Sequence, residues 1–255
     1  MLESAALLAG LVVGSFLNVC IVRLPRNESV VTPSSHCRHC QAAVRWYDNI
    51  PLLSYALLGG RCRDCKEPIQ LRYPLVEAAT ALLAFGLVSI FSDPRQILLF
   101  FTLTSTLIVV TFIDIDHRII PDVITLPSIL VAPAAAFFVD HISVLNSLAG
   151  IALGGGILWG VAHLYALLRK REGMGLGDVK LLAMIGGILG WEAVLFTLLI
   201  SSVGGAFFGL ALVVLRRGKM DLEIPFGPFL AAASVLYIFS GPALVGWYLT
   251  GGPLG

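Results

Sequence analysis

Long apolar segments recur along this chain, at about 4–22, 74–91, 96–113, 123–139, 144–168, 179–191, 193–215 and 227–249, with mostly short charged connections between them. A helix crossing a bilayer needs about 20 predominantly apolar residues, and in lipid only helices and closed barrels satisfy their own backbone polar groups. The pattern predicts an all-α polytopic membrane protein of about eight transmembrane helices, with the lipid bilayer as a constant partner. Composition agrees: 57% of the 255 residues are hydrophobic, 13% are charged and the mean hydropathy is +0.89, far from the norm of soluble domains. The sixth segment is short and glycine-rich, as expected of a helix that is broken, tilted or partly buried against its neighbours.

Only Met1, Leu2 and Glu3 precede the first apolar segment, with no basic n-region and no small-residue cleavage site before Arg23. The segment therefore reads as a retained helix and not as a removed signal peptide. With the N-terminus outside and successive segments alternating, loops 23–72, 114–122, 169–178 and 216–226 share one face. Those loops and Lys180 carry 16 of the 17 basic residues, leaving only Arg95 on the other face. The positive-inside rule makes the first face cytoplasmic and puts both termini outside. The net charge of +1 says little by itself, and no nucleic-acid partner is expected.

Three regions follow: a first transmembrane helix at 1–22, a polar cytoplasmic region at 23–73, and a transmembrane body at 74–255. The polar region holds Cys37-Arg38-His39-Cys40 and Cys62-Arg63-Asp64-Cys65, two C-x-x-C pairs separated by 21 residues. Four thiolates at this spacing can close a tetrahedral zinc site and staple a small domain with little core of its own. A disulfide framework is the competing reading, disfavoured in a reducing cytoplasmic loop. A redox motif is weaker still, since one pair would suffice and no βαβ pattern surrounds it. Trp46-Tyr47-Asp48-Asn49-Ile50-Pro51 and Arg72-Tyr73-Pro74 suggest an ordered interfacial segment, either a membrane-interface anchor or a docking surface.

Ionisable groups near membrane depth are expensive and mark function by default. Asp114 ends the third apolar segment, and Asp178 closes Gly175-Leu176-Gly177-Asp178 before the sixth. Both fall at the cytoplasmic boundary. Two carboxyls that converge can share a proton, one acting as general base on water while the other polarises a carbonyl, which is aspartic protease chemistry. Asp116 is about 200° around a helix from Asp114 and reads as a solvated charge, while Asp122 reads as a helix N-cap. Asp178 could also be an N-cap. Gly175 and Gly177 would permit unusual φ and the close approach of a peptide to the carboxyl, with Lys180 one turn's edge beyond. Serine nucleophiles lack a matching histidine, since His141 falls outside and His163 lies mid-helix.

Taken together, Gly14-Ser15-Phe16-Leu17-Asn18-Val19, Arg23-Leu24-Pro25, the double C-x-x-C, Asp48-Asn49-Ile50-Pro51, Arg72-Tyr73-Pro74-Leu75-Val76-Glu77, Ile120-Pro121-Asp122 and Gly175-Leu176-Gly177-Asp178-Val179-Lys180 resemble the type IV prepilin peptidases. The blocks run in order from residue 14 to 180. The resemblance implies a bifunctional enzyme of the bacterial inner (cytoplasmic) membrane. Such an enzyme cuts the basic leader from prepilins or type II secretion pseudopilins at the cytoplasmic face, then N-methylates the new terminus with S-adenosylmethionine. It also implies that Asp114 and Asp178 are the catalytic pair and that Cys37, Cys40, Cys62 and Cys65 form the family's cysteine tetrad.

Asn18 and Glu77 are further candidates by their depth in the membrane. Glu77 is expected to pair with Arg72 or Arg23, or to support methyl transfer. No glycine-rich fingerprint for S-adenosylmethionine appears, so the residues that bind it are unassigned. Two rival readings are a proton-coupled transporter, using Asp114, Asp178 and Glu77 as a relay, and a non-enzymatic zinc-loop scaffold for envelope assembly.

Overall fold

In the computed structural model of the chain, residues 1–169, 175–215 and 224–249 are described. Lys170, Arg171, Arg216, Arg217 and Lys219, five of the basic residues used to orient the chain, lie outside them. Regular structure among the described residues is helical: α1 (Leu2–Arg23), α2 (Leu53–Leu57), α3 (Arg72–Ile90), α4 (Pro94–His117), α5 (Asp122–Val139), α6 (Val144–Arg169), α7 (Leu176–Leu189), α8 (Trp191–Leu215) and α9 (Gly227–Leu249). Among the described residues, six stretches are long and apolar enough to cross a membrane: Leu2–Arg26, Arg72–Ile90, Pro94–His117, Asp122–Val139, Val144–Arg169 and Trp191–Leu215. Of the other two expected spans, α7 has only 14 residues, and α9 has 23, of which Gly227–Gly241 were assessed for hydropathy.

The chain divides into two compact units, Met1–Ile113 and Asp114–Gly255. In the first, α1 packs along α3. Apolar burial against protein gains little over burial in lipid, so close backbone approach must hold such helices together. Small residues permit it: a Cβ on Gly14 would lie 2.7 Å from the Cα of Glu77.

In the second unit α7 is the central element, packed by α5, α6, α8 and α9. Val179 and every residue from Leu181 to Leu189 of α7 are buried, which explains why so short a helix needs no amphipathic pattern. Its contact with α6 is also backbone to backbone, since a Cβ on Gly150 would lie 2.0 Å from the carbonyl oxygen of Gly186. The final carbonyls of a helix have no intrahelical donor. Here Ser147 Oγ donates to the Gly187 carbonyl at 2.6 Å, and His141 Nε2 donates to that of Ile188 at 2.6 Å. The positive φ of Gly190, +93°, then turns the chain into α8.

Candidate active site and metal centre

The two cysteine pairs sit on turns of the same construction. In the first, Cys37 N–H donates to the Ala42 carbonyl, Gln41 N–H to that of Cys37, and Val44 N–H to that of Ser35. In the second, Cys62 N–H donates to Glu67, Lys66 N–H to Cys62, and Ile69 N–H to Gly60. Gln41 and Lys66 share a left-handed φ, 60° and 61°, and each turn closes on one antiparallel bridge, His36 with Ala43 and Arg61 with Pro68. Each construction aims two sulfurs inward, and all four Sγ atoms lie within 4.8 Å of one another. The Cys37 and Cys65 sulfurs are 3.8 Å apart. A tetrahedron with Zn–S bonds of about 2.3 Å requires sulfurs about 3.8 Å apart. The donor set therefore fits zinc, and all four thiols are free of disulfides. Among the four neighbouring thiols, Cys37 is lowered to about 6, chiefly by the backbone N–H of Cys40, while Cys65 is pushed up to about 12.

The segment between the knuckles is ordered by charge. Arg63 makes two bonds to Asp48, at 2.8 and 2.6 Å, and that hydrogen bonding holds the Asp48 carboxyl below its usual range. Arg63 and Arg45 also lie over the Tyr47 ring, at 5.5 and 5.9 Å. Trp46 remains 81% exposed, available to an interface.

Asp114 lies near the end of α4 and is buried, whereas its neighbours Ile115 and Asp116 are exposed. The helical rotation anticipated between Asp114 and Asp116 is thus realised. Asp114 Oδ2 accepts a 3.0 Å hydrogen bond from the N–H of Gly227, the first residue of α9. A helix N-terminus has unsatisfied N–H groups and a partial positive charge, so it is a natural seat for a carboxylate. Only glycine fits there without a shift: a Cβ at residue 227 would lie 2.6 Å from Asp114 Oδ2.

Asp178 is the third residue of α7 and is partly buried. It lies close enough to Asp114 for the two charges to act on each other. The two aspartates singled out in the sequence thus lie at the C-terminal end of one helix and the N-terminal end of another, within range of each other's charge. Two carboxyls that close to hydrogen-bonding distance can share one proton and so present a base and an acid to one substrate.

Several neighbouring residues take other roles than expected. Asp122 caps no helix: Pro121 is the N-cap of α5, and the Asp122 carboxylate pairs with Lys180 instead. Position explains this, since Asp122 is already inside the first turn. Gly175 is the N-cap of α7, with φ −71° and ψ 142°, a conformation open to any residue. Gly177 matters for contact and not for φ, because a Cβ there would meet Ile120 Cβ at 3.0 Å. Glu77 is buried, but its contacts are the Leu52 N–H, 2.8 Å from Oε2, and the Ser15 hydroxyl. Arg23, buried as well, donates to the carbonyls of Ser29 and Pro33 at 2.9 and 2.7 Å. Sequence reasoning missed Gly227. Its signal was the run Pro225-Phe226-Gly227-Pro228 at a helix start, which offers free N–H groups without saying what they meet.

Comparison with known proteins adds an independent line. Residues 8–91 match the model for the bacterial peptidase A24 N-terminal domain, and residues 101–210 match that for the type IV leader peptidase family. A prepilin leader peptidase/N-methyltransferase of Aeromonas hydrophila is 38% identical over 271 residues, covering 97% of this chain and 93% of the relative. One from Pseudomonas aeruginosa is 38% identical, covering 95% and 92%. One from Burkholderia pseudomallei is also 38% identical, covering 92% and 84%. No solved structure matches.

Proposed function

The chain belongs to the type IV leader peptidase family, and on that premise we propose that it hydrolyses the leader of prepilins or pseudopilins with Asp114 and Asp178 and methylates the amine so released. The catalytic assignment is supported by the placing of both carboxyls at helix ends, Asp114 on the N–H of Gly227 and Asp178 within range of the Asp114 charge. The Gly227 N–H donates to Oδ2 and so fixes the orientation of the Asp114 carboxyl toward the reacting atoms. Asp114 is the base and Asp178 holds the shared proton. Asp114 takes a proton from water as its oxygen bonds to the scissile carbonyl carbon, and Asp178 gives its proton to the carbonyl oxygen. The C–N bond breaks when the proton held by Asp114 passes to the departing nitrogen and a hydroxyl proton of the gem-diol intermediate returns to Asp178. Lys180, held to Asp122, fixes the start of α7 and with it Asp178. Gly175 leaves backbone bare of side chains near the carboxyl, whereas Gly177 makes room for Ile120.

S-adenosylmethionine, when bound, supplies an electrophilic methyl group whose bonding electrons remain on sulfur. Zinc held by Cys37, Cys40, Cys62 and Cys65 staples 23–73 as a domain, leaving 74–255 as the peptidase body. The chain is a multi-pass membrane protein, as its six spanning-length helices and its relatives support. We place it in the bacterial inner membrane with α7 and α9 completing eight crossings. The clustering of 16 of 17 basic residues supports a cytoplasmic site, where a basic leader can stay in water while the apolar pilin stem remains in lipid.

The test incubates the purified full chain with a prepilin and reads product masses with and without S-adenosylmethionine. Loss of the leader alone is expected without the donor, and a further methyl group with it. Asp114→Asn and Asp178→Asn must each abolish cleavage. If either variant cuts at the wild-type rate, that residue is not catalytic.

A further inference from the structure

The first unit contains a cavity of about 390 Å³ between α1, the start of α3 and the cysteine loop, lined in part by Ser15, Asn18, Arg23, Leu52, Tyr73 and Glu77. That volume is within the range of about 300–1,000 Å³ typical of small-molecule sites. Its polar lining is unusual because the groups are buried and their bonding is incomplete or neutral. Asn18 is 3% exposed. Its Nδ2 donates to the carbonyls of Gly14 and Tyr73 at 3.3 and 3.1 Å, which fixes the amide's orientation, while its Oδ1 is buried with no partner. A buried acceptor left unmet costs free energy, so Asn18 Oδ1 calls for an N–H or O–H from a bound molecule.

The charged groups make the same point with opposite signs. Glu77 is buried and its two hydrogen bonds come from neutral donors, Leu52 N–H and the Ser15 hydroxyl. Arg23 is buried and its hydrogen bonds go to neutral carbonyls. A buried charge held by neutral dipoles is incompletely compensated. A ligand that brings a cation to Glu77, a carboxylate to Arg23 and a hydrogen-bond donor to Asn18 would complete all three.

We propose that this cavity is the binding site of the methyl donor, a nucleoside sulfonium bearing an amino-acid group, with Glu77 facing its cationic part, Arg23 its carboxylate and Asn18 Oδ1 a donor of its nucleoside. The proposal rests on the reading of the chain as a methyltransferase and supplies the residues that reading leaves unassigned. It also accounts for the presence of a carboxylate inside the bundle, in a different unit from the peptidase pair. S-adenosylhomocysteine has the same nucleoside and amino-acid groups but no positive sulfur, so the cavity must discriminate against it through Glu77.

The experiment measures equilibrium binding of tritiated S-adenosylmethionine and of S-adenosylhomocysteine to the full chain in lipid nanodiscs, with zinc content and melting midpoint as folding controls. Asn18→Leu is expected to weaken S-adenosylmethionine by about ten-fold, the scale of one buried hydrogen bond. Glu77→Gln is expected to weaken it about ten- to hundred-fold while leaving S-adenosylhomocysteine nearly unchanged, which a general loss of packing would not do. Ultraviolet labelling of the wild-type chain with the donor, followed by peptide mapping, decides the matter if a variant fails to fold: label is expected within 14–77. Wild-type affinity in both variants, or label confined to the second unit, overturns the site alone. Failure of the wild type to bind the donor at all overturns the methyltransferase reading as well.

Discussion

Replacing Gly227 by alanine separates positioning from folding. The added Cβ would lie 2.6 Å from Asp114 Oδ2, where ordinary contact begins at 3.4 Å, so one of the two must give by 3.4 − 2.6, about 0.8 Å. The carboxylate is the freer partner: its Cγ and Cβ are 3.3 and 3.5 Å from the new atom, so rotating the carboxyl relieves most of the overlap without moving α4. Alanine is itself favourable in a helix, and α9 keeps its first N–H. Stability should therefore fall by no more than about 1–3 kcal/mol, the scale of one buried hydrogen bond to a carboxylate, because the 3.0 Å bond to Asp114 is lost or bent. Misplacing a reacting group by about 1 Å costs on the order of 100-fold in rate, or about 2.7 kcal/mol of transition-state stabilisation. The assay is steady-state cleavage of a prepilin by the full chain in nanodiscs, with the melting midpoint measured alongside. We expect kcat to fall about 100-fold with KM nearly unchanged, since the group moved acts on the reacting bond. Cleavage within about three-fold of wild type would refute the idea that this N–H positions the base.

Removing zinc, by Cys62→Ser or by a strong chelator, should release one metal ion per chain and expose 35–69 to proteolysis; metal analysis and a timed digest read both, and an active, metal-free preparation would rule out the assignment. Gly150→Ala should destabilise the second unit by about 3 kcal/mol or prevent its accumulation, because its Cβ would meet the Gly186 carbonyl oxygen at 2.0 Å and backbone cannot rotate away; denaturant unfolding measures it. Lys180→Met should cost less than about 1 kcal/mol, since the Lys180 and Asp122 side chains are 28% and 56% exposed and solvent screens such a pair. If it instead removes cleavage altogether at unchanged stability, Lys180 takes part in the chemistry.

Helical class, the four-cysteine cluster and the candidate aspartates were legible before any coordinates because each rests on local chemistry. Apolar run length reports membrane crossing, C-x-x-C spacing reports a turn that aims two sulfurs one way, and a carboxyl at membrane depth reports function by its cost. The length rule failed to separate α7, because a helix packed by α5, α6, α8 and α9 can be short and still apolar from Leu181 to its end. Asp122 was misread because capping depends on where the first helical residue falls, and one position's difference turned a cap into a partner for Lys180. Glu77 was expected to meet a guanidinium and meets the Leu52 N–H, a choice made by a loop whose path the sequence does not state.

What the sequence by itself determined is therefore an inventory: a membrane-embedded helical chain, a set of sulfur ligands and two acids at the ends of apolar segments. The tertiary structure alone decided which of these act together. Asp114 meets an N–H 113 positions away because glycine lets the start of α9 approach the carboxylate, and Asp178 joins it because a buried α7 presents its first turn to the same place. Hydropathy and short motifs report each residue's own environment, whereas convergence depends on how closely distant backbones can pack, which only the assembled helices settle.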